Sequence, residues 1–310
     1  MDSLNRMSLE LVDEAIDFAG ELNVAVSELE TETTVLDFGV ETDGGIEAGL
    51  LLCEIQTAGL STVQTRMDAV GGVPMPFVEL STDQPARSIL CAQKAGWELA
   101  TEDFEGLGSG PARALVAEEE EFARVGYEDV FDFAVLAVES DELPTPAAAR
   151  QVADLTGVDP GAVYLPTFPT ASLAGSVTMA ARAAELAVFR LSELGYDPLD
   201  VVTASASAPV APVAGSEEAA IGRTNDALAY GGRAHVVVRE EFDRFAEVAS
   251  TASDEYGRPF VEIFEEADWD LYGVPESVFA PAEVTIDVLG GATYHYGERN
   301  EALLESSFGL

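Results

Sequence analysis

Lysine is almost missing from this sequence. One residue, Lys94, stands in the stretch CAQKAGWEL (Cys91–Leu99), and fourteen arginines carry every other fixed positive charge. Against these fifteen cations stand 57 Asp and Glu, for a formal charge of −42 and an isoelectric point near 4.1. A surface so acidic argues against a nucleic-acid partner, because a phosphate backbone is bound by basic patches. Histidine and cysteine are scarce too. His235 and His295 form no zinc-type cluster with Cys53 and Cys91, and the apolar settings LLCEI and ILCAQ read as two buried thiols rather than a disulfide or metal pair. No apolar run approaches the roughly 18 residues that a bilayer span requires. The opening stretch MDSLNRMSLELVDEAIDFAGEL carries acids throughout at helical spacing, which is neither a secretory nor a transit pattern. These absences predict a soluble, cytoplasmic protein with no metal and no membrane partner.

What is present is a core. Hydrophobic residues make up 47% of the chain, with 15 Phe and 8 Tyr, so disorder is not the meaning of the acidity. Charge of this size destabilises a compact state in dilute buffer, and an acid-rich, lysine-poor chain is understood as one that folds in concentrated salt.

Along the chain, Ser8–Leu29 reads as an amphipathic helix, Thr33–Val40 as a strand with a glycine-rich turn, and Gly49–Ala58 as a second strand. Val73–Leu99 reads as a strand with prolines at its edge, then a turn and a short helix carrying Lys94. Gly106–Val125 is a glycine-rich turn into a helix or loop, whose acid run Glu118–Glu121 reads as a solvated face. Phe131–Ser140 is a buried strand, and Leu143–Thr170 a capped helix, a turn and a strand. Ser172–Leu194 gives the longest helical pattern, stopped by Gly195. After it come a small-residue, proline-rich stretch that is a loop or a strand-loop connection (Val201–Gly215), a strand (Gly231–Glu240), helical segments (Glu241–Ser253 and Arg258–Val274) and a late strand (Phe279–Leu289). The class is α/β or α+β in two lobes, with no boundary that the sequence marks.

Several clusters could carry chemistry. Arg182 and Glu185, three residues apart, share a helix face with Thr178 and Phe189. Such a pair is ordinarily an exposed ion pair worth a few tenths of a kcal/mol. Its neighbours are alanines, a leucine and a phenylalanine, which is odd for a surface in a chain that spends acids freely. GSGPARA (Gly108–Ala114) offers backbone amides and Arg113 to an anion or carbonyl. Asn225 and Asp226 in TNDALAYGG are either a donor and acceptor pair near a bend or a helix cap, and Thr170 and Ser172 in TASLAGS are site residues or an N-cap. Lys94 fits none of the bland readings.

QKAGW, GSGPARAL, PTASLAGSV followed by R-x-x-E, ELGYDP, TNDALAYGG, YGRPFVEIF and FAPAEV occur in an order and spacing that resembles the archaeal methenyltetrahydromethanopterin cyclohydrolases, over essentially the whole chain. The resemblance implies a two-lobed α/β subunit of the family's own fold, a homotrimer, a pterin substrate in the pocket between the lobes, and no metal or redox cofactor. It implies that Glu185 acts as base and then acid in adding water to the methenyl bridge, with Arg182 orienting it and holding it ionised. Lys94 would touch substrate or the catalytic carboxylate. Gly108, Ser109, Gly110, Arg113, Thr170 and Ser172 would contribute substrate contacts, and Asn225 with Asp226 would read the pterin edge. A folate-type carrier, or a pterin binder without turnover, remains open at this point.

Overall fold

The structure is a computed structural model that describes residues 2–269 and 273–310. The described chain divides into two compact α/β units, each assembled from two stretches of sequence: residues up to Ser61 with Arg87–Thr178, and Thr62–Ala86 with Met179–Leu310.

The first unit begins with α1 (Leu4–Asp17), capped by Ser3, whose hydroxyl accepts from Arg6 N, and with Leu4, Ser8, Val12 and Ala15 buried along one face. α2 (Ala19–Leu22) ends at Asn23, whose left-handed φ of 53° stops the helix. The expected helix over Ser8–Leu29 is therefore too long. β1 (Ala25–Glu28) follows and pairs antiparallel with β2 (Thr34–Asp37). The second expected strand is instead a helix, α3 (Ile46–Gln56), because a short apolar run buried on most sides has no period to separate the two states. β3 (Thr62–Val70) and β4 (Val73–Thr82) belong to the second unit.

The chain returns through a π-helical segment, Ala86–Gln93. Then come β5 (Ala95–Ala100), β6 (Glu105–Ser109), α4 (Glu120–Val125), β7 (Ala134–Val135), β8 (Ala137–Glu139), α5 (Pro146–Thr156) and β9 (Val163–Phe168). The mixed sheet runs β1-β2-β9-β8-β6-β5, with β7 also on β9. The expected strand, capped helix, turn and strand over residues 131–170 appear in that order, with Thr145 accepting from Ala148 N as the cap. α3 packs on this sheet through Leu52 and Ile55, and α5 through Ala149 and Val152.

The long helical pattern is two helices, α6 (Leu173–Ala180) and α7 (Ala183–Glu193), interrupted at Ala181–Arg182. The second unit's sheet runs β13-β12-β11-β10-β4-β3, with β10 (Val201–Pro209), β11 (Arg233–Val238), β12 (Glu283–Val288) and β13 (Thr293–Gly297). Of the two readings of Val201–Gly215 the strand-loop one holds: β10 is a central strand and a loop follows it. Pro74 and Pro76 lie where β4 pairs with β3 and not with β10, the place a residue without N–H tolerates. α8 (Glu217–Gly231), α9 (Phe260–Glu266) and α10 (Glu301–Phe308) bury Tyr230, Phe260, Phe264, Leu304 and Phe308 in one cluster. Of the helical stretches expected after β11, the first shows two short 3-10 turns, Phe245–Glu247 and Ser250–Ala252, and the second is α9. The part of that second expectation over 270–272 lies outside the described residues. β3, α8, β13 and α10 had no counterpart among the expected elements, and the short helix expected to carry Lys94 ends at Gln93, with β5 starting at Ala95.

Candidate active-site residues

The interruption after α6 sets the first cluster. Arg182 flanks the start of α7, and Glu185 sits in its first turn, where the helix dipole favours a carboxylate. Arg182 Nη1 donates to Glu185 Oε2 at 2.6 Å, and the two side chains are 7% and 8% exposed. Every residue from Ala183 to Val188 is buried. The exposed-pair reading is thereby overturned: this is a withdrawn ion pair in which removing either partner strands a charge, at a cost of about 3–5 kcal/mol.

The second cluster surrounds Lys94, in the first unit. Lys94 lies directly after the π-helical segment, and its N–H donates to Ile89 O at 2.9 Å, closing the last wide turn. Its ammonium is 2.9 Å from Glu121 Oε1 and 3.4 Å from Glu119 Oε2. The acid run Glu118–Glu121 is therefore not a solvated face throughout, since Glu121 is buried and Glu119 is engaged twice. Burial would raise the Glu119 carboxyl, yet the Arg113 guanidinium and the Lys94 ammonium outweigh it and hold the group below its ordinary value.

Arg113 is fully buried and grips Glu119 with Nε and Nη2 at 2.9 and 2.6 Å. Its role as a ligand contact is not what the geometry shows: its donors are turned onto Glu119 and onto the carbonyls of Leu90, Ala92 and Lys94. Gly108 and Ser109 are strand residues of β6 paired with β8, not a turn. A side chain at Gly108 would meet Leu136 Cδ2 at 3.0 Å. Ser109 Oγ accepts from Gln56 Nε2 at 2.9 Å, and Gly110 N donates to Ala92 O at 2.9 Å.

Ser172 behaves as an N-cap, its hydroxyl accepting from Gly175 N at 2.9 Å while donating to Pro169 O. It also touches the bend after β2, because a side chain on Gly39 would come within 2.9 Å of Ser172 Cβ. Thr170 donates to Glu139 Oε1. Asn225 and Asp226 are in the middle of α8, so neither the bend nor the cap holds. Asn225 Nδ2 donates to Ile221 O at 2.9 Å. Asp226 accepts from Phe260 N at 2.9 Å and from Ser307 Oγ at 2.7 Å, tying α8 to α9 and α10. Burial pushes its carboxyl up to about 6, against the lowering effect of those two donors.

Glu119, Glu121 and Glu139 were missed in the sequence because acids are everywhere in it; a signal was present only in the company they keep, the lone lysine and an arginine after a glycine turn. Both cysteines are buried, and burial pushes the Cys91 thiol up to about 12, which leaves it inert. Among the described residues no group of three or more His, Cys, Asp or Glu is arranged to hold a metal, and no helix is long and apolar enough to cross a membrane. Two open cavities, about 540 Å³ beside Arg6 and Asp129 in the first unit and about 510 Å³ over Ser205, Arg233 and His235 in the second, include none of the candidate residues.

The profile of the cyclohydrolase (MCH) family matches residues 3–308. The chain is 60% identical over 310 residues, the full length of both, to a methenyltetrahydromethanopterin cyclohydrolase of Halobacterium salinarum. It is 41% identical, again over the whole of both chains, to the proteins of that name from Methanosphaerula palustris and Methanothermobacter marburgensis. Matches of this length and identity, to halophile and methanogen proteins alike, leave one assignment: the chain belongs to the MCH cyclohydrolase family.

Proposed function

We propose that this protein adds water to the methenyl bridge of a methenyl-tetrahydropterin, methenyltetrahydromethanopterin, and opens it reversibly to the formyl form. The bridge carbon is the electrophilic centre of an amidinium-like cation. One C–O bond forms and one C–N bond breaks: a proton must leave the attacking water, another must reach the departing nitrogen, and the hydroxyl of the adduct gives up its own proton to solvent as the formyl C=O forms, so opening the cation releases one net proton. A single carboxylate that accepts and then returns a proton meets the first two needs. The observation that carries the reading is the withdrawn Arg182–Glu185 pair, at 2.6 Å. Its guanidinium fixes the carboxylate's rotamer and its burial keeps bulk water from taking over proton exchange.

Lys94 contacts substrate or the reacting groups; no redox cofactor takes part, since adding water to a cation moves no electrons, and no metal, since the bridge is already a cationic electrophile and the carboxylate supplies the base. A cytoplasmic homotrimer, the assembly that the family resemblance implies, completes the proposal. Glu185→Gln keeps shape and hydrogen bonding but cannot carry the proton. It is expected to bind the methenyl substrate and lose turnover by about two to four orders of magnitude, followed spectrophotometrically in molar potassium chloride. Near-normal turnover by this variant would remove the carboxylate from the mechanism.

A further inference from the structure

We infer that Glu121 and Glu119 are positioning residues that act through Lys94, and that the π-helical segment with Arg113 is the frame that holds them. The inference rests on the proposed role of Lys94 at the reacting centre. A lysine side chain has four rotatable bonds, and in a chain of charge −42 its ammonium would find many carboxylates. Here both of its ends are fixed. At the backbone end, Lys94 N closes the last turn on Ile89 O, and Lys94 O accepts from Arg113 Nη1 at 2.6 Å. At the ammonium end stand Glu121 at 2.9 Å and Glu119 at 3.4 Å.

Arg113 links the two ends. The guanidinium that holds the Lys94 carbonyl also grips Glu119 with two donors, and it lies 5.4 Å over the ring of Phe122, which fixes its plane. Two cations and two carboxylates balance, so loss of Glu121 leaves Glu119 shared between Arg113 and Lys94. Gly96 belongs to the same frame. A side chain there would stand 2.4 Å from Glu119 Oε2 and 2.9 Å from Arg113 Nε, so the glycine of QKAGW is the space in which the network fits.

This also explains why the one lysine is retained. A compact ammonium meets single oxygens of two separate carboxylates, whereas a guanidinium fork engages one carboxylate with two donors, as Arg113 does with Glu119.

The test is a double-mutant cycle on the full-length protein in molar potassium chloride, with kcat and KM for Lys94→Ala, Glu121→Gln and the double variant, and with melting curves for each. Lys94→Ala is expected to lose about 30-fold or more in kcat/KM, and Glu121→Gln about tenfold, with Glu121→Asp recovering part of that loss. In the Lys94→Ala background Glu121→Gln should cost nothing further, because a residue acting through Lys94 has nothing left to act on. Wild-type activity in Glu121→Gln, or an undiminished tenfold loss in the double variant, overturns the inference, the second result marking Glu121 as a stability residue. If Lys94→Ala itself is fully active, the role of Lys94 has failed; if Lys94→Ala is impaired and Glu121→Gln is not, the cradle alone has failed. A Glu121→Gln chain that does not fold leaves the same cycle to be run with Glu121→Asp.

Discussion

Asp226 offers a change whose sign depends on pH. It is 2% exposed in the middle of α8, and burial lifts its carboxyl from 3.8 to about 6, the donors Ser307 Oγ and Phe260 N offsetting part of the rise and Glu262 adding to it. Between those two values the folded chain binds the proton more tightly than the unfolded chain. Stability contributed by this group is therefore present at low pH, declines as pH rises from about 4 to about 6, and stays lost above that. A rise from 3.8 to about 6 corresponds to about 3 kcal/mol. Asp226→Asn removes the titration and keeps the shape. Its carbonyl can accept from Phe260 N, and its amide can donate to Ser307 Oγ, a hydroxyl able to turn. Urea denaturation in fixed molar potassium chloride should then show the variant more stable than the parent by about 3 kcal/mol at pH 8, with the gap closing toward zero near pH 4. The comparison cancels the titration of all other acids, since both chains share them. A variant equal to or weaker than the parent at pH 8 would refute the reasoning, because it would mean that the two donors more than repay the cost of burying the charge. Since both carboxylate oxygens already face protein donors, substrate affinity should not change.

Gly96→Ala should separate packing from charge: with Arg113 and Glu119 locked together, the added methyl has to displace one of them, so a loss of about 1–3 kcal/mol in stability and a fall in turnover are expected, read by urea melts and the bridge-opening assay. A salt series should lower the melting temperature continuously from molar potassium chloride to about 20 mM, where the Debye length has grown from about 3 Å to beyond 20 Å and the acids of a −42 chain repel one another unscreened.

Most of the alternation of strand and helix was legible where an element carried its own punctuation. Thr145 before Pro146 announced α5, and Gly195 closed α7. The failure at α3 has a physical cause: it is an apolar run without period, so the environment on all sides decided its state and the sequence offered no asymmetric face to read. Asn225 and Asp226 looked like turn residues because their side chains satisfy backbone groups wherever they occur. In α8 Asn225 does so within its own helix, on Ile221 O, and Asp226 does so across helices, receiving Phe260 N from 34 residues away. The pairing of Arg182 with Glu185 was legible from spacing, and its burial from the alanines around it. The Lys94 network was not, because it joins residues up to 27 positions apart (Lys94 to Glu121), and no local pattern marks which acids of an acidic chain turn inward.

The inward acids matter because charge works under two regimes in this molecule. On the surface, pairs such as Arg244–Glu247, 45% and 44% exposed, and Arg6–Asp2, 49% and 69% exposed, stand in a medium whose screening length at molar salt is about 3 Å. They contribute almost nothing there, and the salt itself does the work of holding 57 acids together. A catalytic or positioning charge cannot depend on that medium, since any exposed cation is outnumbered by acids and by dissolved potassium. Withdrawal meets that need for Arg182–Glu185, the pair proposed to carry the proton, at 7% and 8% exposure, and for the proposed frame residue Arg113, which is fully buried against Glu119. Salt then acts on the fold and leaves the buried pairs unscreened. On dilution, activity should fall with the melting of the chain and not ahead of it. Turnover measured alongside circular dichroism across the salt series checks this, and activity lost while the fold is still intact would show that ions reach the buried pairs and set their strength directly.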